Sequence, residues 1–93
     1  MKEVLMVLIK KLEVNELEKM GVFSWPIWEK EISVFDWFYD TSESCYFLEG
    51  QVEVTYDDGK SVCFGKGDFV TFPKGLACTW KITTPVKKHY LFD

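Results

Sequence analysis

The sequence predicts an all-β protein: a sandwich or barrel of short strands, with one short helix near the N-terminus. Three observations lead there. Polar and apolar residues alternate with a period of two, most plainly over residues 51–56, where Val52, Val54 and Tyr56 share one face and Gln51, Glu53 and Thr55 the other. Turn signals at Gly50, Asp57-Asp58-Gly59, Gly65-Lys66-Gly67-Asp68 and Pro73-Lys74-Gly75 separate runs rich in β-branched and aromatic residues, at the spacing of roughly eight to twelve residues typical of sandwiches and barrels. No β-α-β alternation and no glycine-rich phosphate loop interrupts the pattern.

Taken in order, residues 4–12 read as a first strand. Asn15 is a helix cap with Glu18 three residues on to reach back, and Gly21 ends that helix after Met20. Trp25-Pro26 breaks any helix, because the residue before proline is pushed to extended geometry. Strands follow at 27–32, 35–39, 43–49 and 51–56. Asp57-Asp58-Gly59 makes a hairpin turn, since Asp-Gly tolerates the positive φ a tight turn demands. Residues 61–64 pair back, 69–72 form a short strand, and 76–82 and 86–92 are two more, parted by Thr84-Pro85.

The chain has 93 residues, the length of a single domain. So small a domain needs a dense core, and 47% hydrophobic and 17% aromatic residues supply one. A formal net charge of -4 and the absence of a basic patch argue against nucleic acid or an anionic membrane as partner. Cys45, Cys63 and Cys78 are an odd number without C-x-x-C spacing. That is a poor disulfide framework and fits a reducing, cytoplasmic setting. The apolar run at 4–9 is too short to span a bilayer and lacks a secretory cleavage site. Open sheet edges and the aromatic content lead us to expect a homodimer.

Two segments carry a family resemblance. Gly67, Pro73 and Gly75 are followed by Cys78 and Ile82, and upstream Glu43 stands seven residues before Gly50. This resembles the paired motifs of the cupin superfamily, in which the places of Cys78 and Ile82 hold a histidine and an asparagine. The first motif's histidine places fall on Asp36 and Phe38, or on Trp37 and Tyr39 with the shorter spacing, and its opening glycine is absent. Residues 25–30 and 36–40 resemble a branch of small cupins grouped with ureidoglycine aminohydrolase-type (DUF861) domains. The resemblance covers about residues 22–92 and implies a double-stranded β-helix, a jelly roll of about nine strands. It implies a small metabolite bound inside the barrel and, for chemistry, hydrolysis of a small nitrogen-rich compound. The alternative is a metal-free binding or homodimerising module. The family's metal is held by three histidines and a glutamate. Glu43 is what this chain keeps of that set, with Cys78 a soft replacement and Asp36 a third ligand if it points inward, so we expect no metal cofactor.

The candidate catalytic residues are Glu43 and Cys78. Glu43 shares parity with Cys45 and Phe47 and is either a general acid or base of the barrel interior or a carboxylate paired at its mouth. Cys78 shares parity with Trp80 and Ile82 and is either a nucleophile or ligand beside Glu43 or a small core residue. Tyr39, Cys45, Trp80 and His89 are candidate ligand-binding residues; His89 is an acid or base near neutral pH, or a strand histidine with a structural partner. Lys10-Lys11 and Lys87-Lys88 read as solvated charges.

Overall fold

The computed structural model describes residues 5–56 and 59–93. Short strand β1 (Leu8–Lys10) leads into helix α1 (Val14–Lys19) and a 3-10 turn (Val22–Ser24). Six strands follow: β2 (Ile27–Lys30), β3 (Ser33–Phe38), β4 (Glu43–Tyr56), β5 (Lys60–Gly65), β6 (Phe69–Phe72) and β7 (Ala77–Phe92). All pairings are antiparallel, in the order β1-β6-β4-β7-β2, with β3 also on β7 and β5 also on β4. This is the expected all-β jelly roll with one short helix.

The helix begins two residues earlier than its capping residues suggested. Glu13 is the cap, and its N–H donates to Glu16 Oε1 at 3.3 Å, so the reciprocal pair is Glu13/Glu16 rather than Asn15/Glu18. Gly21 ends the helix as anticipated, at φ 77°. Of the expected first strand only Leu8–Lys10 is paired, and Val4 lies outside the described residues. Asp57 and Asp58 of the expected hairpin turn also lie outside them.

Two pairs of expected strands are continuous. Residues 43–49 and 51–56 form the single strand β4, and 76–82 and 86–92 merge into β7. Gly50 and Pro85 remain the irregular points. The β4–β7 register shifts between Glu49 and Gln51, and Gly50 has φ 112°. A Cβ on Gly50 would lie 2.8 Å from both the Pro85 carbonyl oxygen and Val86 Cα. On the other side of β7, β3 stops at Ser33 opposite Ile82 and β2 stops at Lys30 opposite Val86. Pro85 therefore sits where the ladder is interrupted on both sides, and a long strand tolerates a residue that cannot donate a hydrogen bond.

The two long strands bend round a core that includes Phe47, Val52, Val54, Phe64, Val70, Phe72, Trp80 and Ile82. Its aromatic rings meet mostly edge-to-face or tilted, and Tyr39 stacks on Phe72 with centroids 4.7 Å apart. Outside the barrel, Leu17 and Val22 seal Phe69 in a second cluster. Among the described residues no helix is long and apolar enough to cross a membrane.

Candidate functional site

A cavity of about 280 Å³ opens at one end of the barrel. Trp28 of β2, Phe35 and Trp37 of β3, and Tyr39 just beyond β3 form part of its lining. Glu43 of β4 and Trp80, Lys88, Tyr90 and Phe92 of β7 complete it. Alternation places them: 35, 37 and 39 share one parity, and 80, 88, 90 and 92 another. Trp37 and Phe92 are about half exposed and stand at the mouth.

The polar centre is an ion pair. Lys88 Nζ donates to Glu43 Oε2 at 2.9 Å, and the side chains are only 5% and 4% exposed. The ammonium lies 4.9 Å from the ring centroids of both Trp28 and Trp80, with Phe47 and Phe72 about one ångström farther, at 5.8 and 6.0 Å. A buried ammonium must be paired. Here one carboxylate and two indole faces do the pairing.

Lys88 is the residue the sequence reading misplaced, as a solvated charge. The signal was its parity: Val86, Lys88, Tyr90 and Phe92 occupy alternate positions of β7, and its three apolar companions in that row pack on the core or line the cavity.

Of the residues singled out from sequence, Glu43, Tyr39 and Trp80 line the cavity. The Tyr39 hydroxyl accepts from Trp80 Nε1 at 3.2 Å. Burial holds the Tyr39 phenol far above its usual pKa, with the Glu43 charge acting in the same direction.

Three of them lie elsewhere. Cys45 is wholly buried, and its thiol points to the Val70 carbonyl at 3.6 Å. Burial pushes its pKa up to about 12, against the nearby Lys88 charge. Cys78 is buried at the junction of Trp37 and Tyr56, its partners on the two flanking strands. It borders a shallower depression shared with Asp36 and Thr79. Burial pushes Cys78 up to about 11, with the Asp36 charge adding to it. His89 faces the opposite side of β7 from Lys88, with Nδ1 2.9 Å from the Trp25 carbonyl and its ring edge-on to Phe23. Asp36 also turns away from the cavity and accepts from Thr79 Oγ1 at 2.8 Å.

The residues present do not fit the metal of the cupin pattern. Glu43 is engaged by an ammonium, Trp37 and Tyr39 face the interior from the first motif, and no cluster of three His, Cys, Asp or Glu side chains exists among the described residues.

Comparison with known proteins agrees with this architecture. The profile of the EutQ-like cupin domain matches residues 17–90. A DUF861 family protein from Thermotoga maritima is 57% identical, with a TM-score of 0.92 over 95% of this chain and 100% of its own. A putative ethanolamine utilization protein Q from Salmonella typhimurium is 24% identical, with a TM-score of 0.64 over 71% of this chain and 53% of its own. The Clostridium difficile EutQ protein is 22% identical, with a TM-score of 0.65 over 95% of this chain and 68% of its own. At those identities the last two speak to the fold. The chain thus spans the whole of the Thermotoga protein and about half of the Salmonella one. No curated protein matches the sequence.

Proposed function

The chain belongs to the EutQ-like cupin family, and from that premise we propose that it binds a small metabolite in the barrel-mouth cavity, with Glu43 and Lys88 as the polar contacts and aromatic side chains as the walls. The observation that carries this is the buried ion pair facing an apolar cavity. Replacing a buried pair by apolar residues is often neutral or stabilising. Stability alone therefore gives little reason to bury Glu43 with Lys88, whereas orienting a ligand does. The combination of mostly apolar walls with a few convergent polar groups is that of ligand sites generally, and about 280 Å³ is near the lower end of their size range.

Binding is favoured over hydrolysis, the chemistry of the ureidoglycine aminohydrolase resemblance. Glu43 already receives a hydrogen bond from Lys88, and Cys78 is not among the cavity-lining residues. A protein-observed NMR screen with small-metabolite fragments tests the reading. Resonances of Trp28, Trp37 and Trp80 should shift with at least one ligand class, and those of Trp25, which packs on Phe69 outside the cavity, should not. A screen in which no fragment moves the three lining indoles would overturn it.

A further inference from the structure

The site has a definite hydrogen-bonding polarity. Of the Glu43 carboxylate, Oε2 is held by Lys88. Oε1 has no protein partner among the described residues. No buried side-chain oxygen or nitrogen there lacks a partner, so Oε1 opens onto the cavity. Lys88 gives one N–H to Glu43, and its other two reach no protein oxygen among the described residues. The Tyr39 hydroxyl accepts from Trp80 and keeps its own proton free to donate. The cavity thus offers one acceptor flanked by donors, above flat aromatic walls.

Charge narrows the choice further. Glu43 and Lys88 together are neutral, and both are almost fully buried. A carboxylate ligand would bring a second negative charge beside Glu43, or displace it and leave it buried without a partner. An amine would stand beside Lys88, whose ammonium already occupies the space over Trp28 and Trp80 where a cation would bind. A neutral ligand disturbs neither charge.

We infer that the cavity selects neutral, planar, single-ring ligands with a lactam or cyclic-imide edge, the ring N–H donating to Glu43 Oε1 and the adjacent carbonyl accepting from Lys88 Nζ. The inference rests on the proposed function and specifies its ligand class. The walls supply the preference for flatness, the pair supplies the N–H/C=O edge, and the volume limits the ligand to about one ring with small substituents.

Four probes test it on the unaltered protein: 2-pyridone, N-methyl-2-pyridone, benzoate and benzylamine, titrated while the indole N–H resonances are followed. The expected result is that 2-pyridone shifts the Trp28, Trp37 and Trp80 signals with a dissociation constant at least about tenfold below each of the others, since losing the N–H leaves the buried Glu43 oxygen unpaired. Equal binding of 2-pyridone and its N-methyl analogue would remove the contact to Glu43 and overturn the inference. Benzoate or benzylamine binding as tightly as 2-pyridone would overturn the neutrality argument. In both cases the cavity stands as a ligand site. Silence of all the indole signals towards all four probes would overturn the inference. If the wider fragment screen is silent as well, the proposed function falls with it.

Discussion

At position 88 an ammonium is held out of water by one carboxylate oxygen and two indole faces. Each charge is tolerable only while the other is present. Lys88→Met should therefore cost about 3–5 kcal/mol, because it leaves Glu43 buried and unpaired. The double variant Lys88→Met/Glu43→Gln should regain most of that loss. Urea unfolding of the single and double variants checks this, and additive losses in the double variant would contradict the coupling. The sequence made Glu43 visible through the spacing to Gly50, whereas its partner carried no motif. A lysine in Lys87-Lys88-His89 resembles surface charge until the strand's parity is followed to Phe92.

Strands β4 and β7 are continuous because their interruptions coincide. Gly50 and Pro85 face each other across the ladder, and the close approach of the Pro85–Val86 backbone leaves no room for a Cβ at position 50. Gly50→Ala should destabilise the protein by at least the roughly 1–3 kcal/mol of backbone strain at that positive φ, before the contact is counted. Pro85→Ala should change stability by less than about 1 kcal/mol, since the ladder is already broken there. Thermal unfolding of both variants would show the asymmetry, and equal effects would contradict it. The sequence marked both residues as breakers, which is why four strands were expected where there are two. A local signal records a disturbance of the backbone; whether pairing resumes beyond it depends on the neighbouring strands.

For the molecule as a whole, the thiols set an alkaline limit to stability. Burial raises Cys45 to about 12 and Cys78 to about 11 from an ordinary 9.0. The folded state therefore holds these protons after the unfolded chain has released them. The contribution is fully present below about pH 9 and is lost as pH rises through about 11 to 12. The slope should approach ~1.4 kcal/mol per pH unit for each thiol. Urea midpoints between about pH 8 and about pH 10.5 should fall, and Cys45→Ala should flatten the fall. A level profile in the parent protein would contradict this account of the core.

The all-β pattern, the turns at 65–68 and 73–75, the helix stop at Gly21 and the family scaffold of Gly67, Pro73, Gly75, Glu43 and Gly50 were determined by the sequence itself, because turn chemistry and period-two alternation act over a few residues. The partner of Glu43 was decided only by the tertiary structure, as were the turning of Asp36 and His89 away from the cavity and the seating of Cys78 between Trp37 and Tyr56. Those depend on the register of β7 against β4, β2 and β3. One residue of slip would exchange Lys88 for His89 at the site. Glu43 and Lys88 are 45 residues apart in the chain, and only closure of the barrel brings them within 2.9 Å.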